Sequence, residues 1–152
     1  MSTSASADPA SLELSERLRA RLEAWSQARY PREACGLLIG RREGRRVRVR
    51  HAREARNLEA KRAHERYELD PADHLAAEDL ARSLGLTVVG VWHSHPDHPP
   101  VPSENDRTRA WEGWSYLIVS VGAGAASELR SWRLAGARFV EEQVTVDPRS
   151  SP

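Results

Sequence analysis

Cysteine, lysine, methionine and phenylalanine are all but missing from this chain. Among 152 residues there is one cysteine, Cys35, one lysine, Lys61, one methionine and one phenylalanine. A lone thiol excludes an intramolecular disulfide and fits a reducing compartment, so a cytoplasmic setting is expected. A net charge of one sign is missing too: 23 basic residues stand against 22 acidic ones, a formal +1. That balance excludes functions that need a strongly basic or acidic protein overall. No apolar run approaches the roughly 20 residues of a membrane-spanning helix, so no membrane partner is expected. Residues 1–10 lack both the positive start and the apolar stretch of a signal peptide. They are expected to be a disordered tail, with one domain over residues 11–147 and a C-terminal tail over 148–152.

What is present suits a compact fold. Hydrophobic residues make up 39% and charged residues 30%, and a chain of this length buries roughly 70% of its unfolded surface. Twenty-two arginines replace the missing lysines, and either cation solvates a surface. Eight of them lie between Arg41 and Arg56 beside only Glu43 and Glu54, a local charge of +6. One reading is a non-enzymatic nucleic-acid-binding or scaffold module built on this 41–56 segment. No aromatic residues interleave the arginines, which favours a solvated edge strand whose charge discourages aggregation. Nucleic acid is therefore not the expected partner.

Hydrophobic spacing orders the elements. Leu12 and Leu14 alternate with polar residues as a short edge strand. Ser15 then caps a helix with Leu18, Leu22 and Trp25 on one side, ended at Tyr30-Pro31. Cys35 to Ile39 and the alternating Val47 and Val49 form a hairpin around Glu43-Gly44. Arg66 to Leu69 reads as another short strand. Asp70-Pro71 opens a second helix with Ala72, Leu75, Ala76, Leu80 and Leu84 as its buried stripe, closed by Gly85. Leu86 to Trp92 is a buried central strand, and a proline-rich loop and a short helix from Ser103 follow. Strands are expected at Tyr116–Val121, Glu128–Leu134 and Phe139–Val146. This order predicts an α/β or α+β domain around one mixed sheet.

The central strand runs into His93-Ser94-His95, with Ser103 and Asp106 beyond the loop. On a strand the period of two puts both imidazoles on one face, where two nitrogens can reach one ion. Asp106, in the first turn of the next helix, adds an oxygen. Two histidines and one carboxylate leave a fourth tetrahedral position for water, the layout of a catalytic rather than a structural zinc. Ser103 to Asp106 also reads as a helix start, with Ser103 the N-cap and the acidic residues favoured by the dipole. Both readings can hold together. A zinc nucleobase deaminase needs H-x-E and P-C-x-x-C, and one cysteine cannot supply the second.

The string His93-Ser94-His95-Pro96 with Ser103 and Asp106 resembles the signature of the JAMM (MPN+) metalloprotease family. The segment Tyr30-Pro31-Arg32-Glu33-Ala34-Cys35-Gly36-Leu37-Leu38 resembles the family's glutamate-bearing element. The likeness covers roughly residues 12–147 and is nearest to small bacterial members that release cysteine from a sulfur-carrier protein. It implies a single MPN/JAMM domain, a curved mixed sheet flanked by helices in a deaminase-like arrangement. It also implies one Zn²⁺ on His93, His95 and Asp106, Glu33 as general base and acid, and Ser103 as oxyanion donor. The implied partner is a ubiquitin-like sulfur-carrier protein ending in Gly-Gly, cut just after that tail. A metal at a strand end suggests that the tail docks by strand addition to an open sheet edge. Cys35 lies in an apolar run and is expected to pack as a small hydrophobe. His51, His64, His74 and His98 are expected on the surface, and the five tryptophans in core and rim.

Overall fold

The computed structural model describes residues 10–148, so the tails expected at 1–10 and 148–152 lie outside it apart from Ala10 and Pro148. Seven strands form one sheet: β1 (Ser11–Ser15), β2 (Cys35–Glu43), β3 (Arg46–Ala55), β4 (Thr87–Pro96), β5 (Ser115–Gly122), β6 (Ala125–Ala135) and β7 (Arg138–Asp147). The helices are α1 (Glu16–Arg29), α2 (Pro71–Ser83) and α3 (Glu104–Arg109). The sheet closes on itself in the order β1-β3-β2-β4-β5-β6-β7. Pairing is parallel where β1 meets β3 and β7 and where β4 meets β5, and antiparallel elsewhere. The mixed curved sheet flanked by helices is therefore present.

Closure changes three expectations. Strand β1 is not an edge: Leu12 pairs with Val47 on one side and Val144 on the other. Strand β4 is flanked by β2 and β5 along the residues that lead to the metal-ligand motif, so no tail can add beside it. Nor is β3 a simple edge, since β2 pairs along its length and β1 joins it over Arg46–Arg48.

Local chemistry sets the element ends. The Ser15 hydroxyl accepts from the Leu18 N–H at 3.1 Å and starts α1. The Asp70 carboxylate accepts from Ala72 at 2.9 Å and starts α2, with Pro71 at its first position. The segment expected as a strand at 66–69 makes a single bridge, Asn57 to Leu69. It belongs to a folded loop between β3 and α2.

Two cores occupy opposite faces of β2 and β4. One joins Leu38 and Trp92 to Leu12, Leu14, Val47, Leu117 and Leu22 of α1. The other joins Cys35, Leu37, Ile39 and Val91 to Tyr116 and α2. The face that α2 buries carries Ala77 and Ala81, whereas Leu75 and Leu84 of the expected stripe are 63% and 43% exposed. Small residues let the helix lie close to the sheet; Leu80 packs at the margin of that core, and Leu75 and Leu84 turn outward.

Candidate metal centre

Strand alternation builds the site as its sequence requires. His93 and His95 sit at the end of β4 and are 0% and 6% exposed. Ser94 points to the other side. Its hydroxyl accepts from the Ala34 N–H at 2.8 Å, and its own N–H donates to the Ala34 carbonyl at 2.9 Å. With Cys35 opposite His93, this zipper carries the antiparallel pairing one residue further, to Ala34 and Ser94, with Glu33 next along the chain.

The proline-rich loop is tied down by side chains from three strands. His95 Nδ1 bonds the Pro99 carbonyl at 2.9 Å, Ser120 Oγ donates to the His98 carbonyl at 2.7 Å and Trp132 Nε1 to that of Pro100 at 3.0 Å. Asp97 enters the loop at φ 61°, a left-handed conformation that aspartate tolerates, and its carboxylate accepts from Tyr30 Oη at 2.7 Å. The loop delivers α3, whose first turn is a capping box. Ser103 N–H donates to Asp106 Oδ2 at 2.9 Å, and Asp106 N–H donates to Ser103 Oγ at 3.0 Å.

Three donor atoms converge as a result. His93 Nε2 and His95 Nε2 are 3.3 Å apart, and Asp106 Oδ2 lies 3.3 and 3.1 Å from them. A carbonyl only accepts, so the proton of His95 sits on Nδ1 toward Pro99 and Nε2 presents a lone pair. Donors bound tetrahedrally at about 2.0–2.1 Å stand roughly 3.3 Å from one another. The spacing and donor types fit a divalent ion, and His93, His95 and Asp106 could hold one. Burial works against the charge of Asp106, but the two histidines and the Ser103 N–H outweigh it and hold the carboxyl well below its ordinary range. Burial also lowers the His93 pKa, opposed by Asp106.

Glu33 is 4% exposed, and its Oε1 has no hydrogen-bond partner among the described residues. Burial, then the negative charges of Asp106 and Glu65, push its pKa up to about 9. A buried carboxyl tuned this way beside a cluster of donors is a candidate acid or base. Cys35 is fully buried, and burial with the charge of Glu33 pushes its thiol up to about 12. It packs in the core beneath α2, as expected for an inert thiol.

Three residues at the site escaped sequence reasoning. Ser94 sat between the ligands without an evident task. Tyr67 is buried and stacks on His93, with ring centroids 4.6 Å apart; no spacing signals it. Asn57 donates to the carbonyls of Glu33 and Arg66 at 3.1 and 3.2 Å, pinning the loop against the site. Its position just after a strand was the available signal. Of the other histidines, His98 and His64 are exposed as expected, but His51 and His74 are half-buried, and His74 bonds Glu78 at 3.1 Å.

Comparison with known proteins places this geometry among relatives. The profile of a family described as prokaryotic homologs of the JAB domain matches residues 15–135. A protein named desampylase from Haloferax volcanii is 42% identical over 91 residues, which span 59% of this chain and 63% of that relative. The CysO-cysteine peptidase of Mycobacterium tuberculosis is 32% identical over 118 residues, 77% of this chain and 78% of its own. The solution structure of a Desulfitobacterium hafniense protein superposes with a TM-score of 0.81 at 29% identity, covering 91% of this chain and 94% of that one.

Proposed function

The chain belongs to the family of prokaryotic JAB-domain homologues, and on that premise we propose that it is a zinc-dependent peptidase or isopeptidase. Its substrate is a ubiquitin-like sulfur-carrier protein, hydrolysed just after the C-terminal Gly-Gly. The observation that carries this reading is the buried convergence of two imidazole nitrogens and a carboxylate oxygen beside Glu33. A peptidase named for a CysO–cysteine bond among the relatives supports the substrate class. The single buried thiol supports a cytoplasmic setting. Among the described residues no helix is long and apolar enough to cross a membrane.

His93 Nε2, His95 Nε2 and Asp106 Oδ2 would hold one Zn²⁺ per chain. When bound, the ion supplies Lewis-acid chemistry, lowering the pKa of a water toward about 7 and polarising the scissile carbonyl. Glu33 takes the proton of the attacking water on its carboxylate and passes it to the leaving amine. Its burial suits the first half of that task, because a carboxylate with a raised pKa takes up a proton readily. The Ser103 oxygen is occupied by the Asp106 N–H, so its own proton is free to point outward and stabilise the oxyanion. Pro99 keeps His95 in the tautomer that offers Nε2, and Tyr67 fixes the plane of His93. A Gly-Gly tail suits a buried site, having no Cβ to clash at the close approach.

The nucleic-acid reading has less support. Of the arginines between 41 and 56, Arg48 pairs with Glu13 and Glu43, and Arg56 with Asp70 and Asp73. Arg41 and Arg42 bond the carbonyls of Gly85 and Val89. These are surface contacts within the fold.

The test is mass spectrometry on a carrier protein extended beyond Gly-Gly by one residue. The zinc-loaded protein should cut once, after the second glycine. Replacing that glycine with valine should lower kcat/KM at least tenfold, about 1.4 kcal/mol of transition-state stabilisation. Scattered cutting of unfolded proteins would point instead to a general peptidase.

A further inference from the structure

We propose that the cleft between the start of α1 and the middle of β3 is a second site, which binds a compact ligand carrying adjacent phosphates. Its volume is about 410 Å³, within the range of small-molecule sites. None of the candidate metal donors lines it, so the site stands apart from the peptidase reading.

The topology opens the cleft. Strand β1 pairs with β3 only from Ser11 opposite Arg46 to Glu13 opposite Arg48. It then gives way to α1 at Glu16, while β3 runs on to Ala55. The pairing of β3 with β2 slips at the same level. Val49 lies opposite Gly40 and His51 opposite Ile39, which leaves Arg50 as the extra residue of a β-bulge. A regular strand turns alternate side chains away. Here four successive residues, Arg48, Val49, Arg50 and His51, line one cleft.

Positive charge gathers on both walls. Arg17 and Arg21 are one helical turn apart on α1, and Arg48 and Arg50 come from β3. Against these four stand Glu13 and Asp147, so the lining carries a formal +2 with His51 neutral, in a chain whose total is +1. Arg48 lies 3.2 Å from Glu13 and 3.4 Å from Glu43. Its Nε is nonetheless buried and makes no hydrogen bond among the described residues. A buried donor without an acceptor calls for one. The side chains of Arg17, Arg50 and His51 have no partner among the described residues. Like charges four apart on a helix repel, and the fold leaves that repulsion uncompensated.

The layout of donors selects the ligand. A carboxylate offers two oxygens in one plane, which suit a single guanidinium fork. A phosphate offers oxygens in three directions, which donors on two separate walls can share. Two arginines on each wall suit two adjacent phosphates. The basic rows are also short. On α1 the row ends at Trp25, whose ring Arg21 covers at 5.2 Å. On β3 it ends at Glu54, which accepts from Arg29 at 2.6 Å. A long nucleic-acid backbone has nothing further to follow, so the occupant is compact.

Isothermal titration with pyrophosphate, orthophosphate and malonate tests the site. Pyrophosphate should bind once per chain, at least about tenfold tighter than either of the others. Arg17→Ala and Arg50→Ala should each weaken it at least about tenfold. Neither arginine has a partner to lose, so both variants should melt within about 2 °C of wild type. Arg45→Ala, in the same hairpin but outside the cleft, should bind as wild type does. No binding of pyrophosphate, or unchanged affinity in both cleft variants, would overturn the site. Equal affinity for malonate would overturn the choice of phosphate. Tighter binding of a single-stranded oligonucleotide than of pyrophosphate would overturn the compact ligand in favour of nucleic acid.

Discussion

Glu33 shows how one residue trades stability for chemistry. Its carboxyl ordinarily titrates at 4.5 but here at about 9, so the unfolded chain releases a proton that the folded chain retains. Between those values the unfolded state binds fewer protons, and the stability of the metal-free protein falls as pH rises. Below both values the difference vanishes. Glu33→Gln keeps the size of the side chain and cannot ionise. The metal-free variant should therefore melt several degrees higher than wild type at pH 8, and at the same temperature as wild type at pH 4. Scanning calorimetry at the two pH values checks the sign. The same variant should hold its zinc yet lose at least about a hundredfold in turnover. Full turnover would remove Glu33 from the mechanism. The candidate metal donors were legible in the sequence because they fall within fourteen residues, His93 to Asp106, on a strand and a helix start with recognisable patterns. Glu33 lies 60 residues upstream of His93, and its own neighbours read as an ordinary connection. Only its resemblance to the family's glutamate-bearing segment singled it out.

Among the elements, β2 and β4 are held in register by contacts that tolerate no extra atom. A Cβ on Gly36 would lie 1.9 Å from the Arg53 carbonyl oxygen and 2.3 Å from Trp92 Nε1. Those two atoms form a 3.0 Å hydrogen bond across the glycine. Gly36→Ala must break that bond or part β2 from β3, at a cost of about 3 kcal/mol or more. Because Glu33 and the histidines are set by this register, the variant should lose activity along with stability. A melting temperature within 2 °C of wild type would contradict this account. The strands themselves were legible because each alternates or forms a bounded apolar run. The face of α2 was not. Alanine carries little weight in a hydrophobic pattern, so the leucines drew the stripe toward themselves. Yet Ala77 and Ala81 are the residues that approach Cys35, Leu37 and Val88. Nor could β1 be placed, since its second partner is a strand some 130 residues away whose pairing no local signal encodes.

Across the whole molecule, the candidate metal joins parts that the chain brings together from a distance. His93 and His95 belong to β4 in the sheet, Asp106 to α3, and the loop between them hangs from β5 and β6 through Ser120 and Trp132. Without a cation, two imidazole nitrogens and an ionised oxygen face one another at 3.1–3.3 Å. Their lone pairs repel unless a proton or a metal lies between them. A metal bound only by the folded state stabilises that state by mass action, about 4 kcal/mol at a thousandfold excess over Kd. For a chain of this size zinc should raise Tm by roughly 8–16 °C, and a chelator should reverse the gain. His95→Ala removes one donor and the contact to Pro99, so its melting temperature should no longer respond to zinc. The gain should also shrink as pH falls below about 6, because protons compete with the metal for the imidazoles. Calorimetric scans with zinc and with chelator, at pH 7.5 and 5.5, separate these expectations. A zinc response that persists in His95→Ala would move the metal elsewhere on the protein and leave the buried cluster without its purpose.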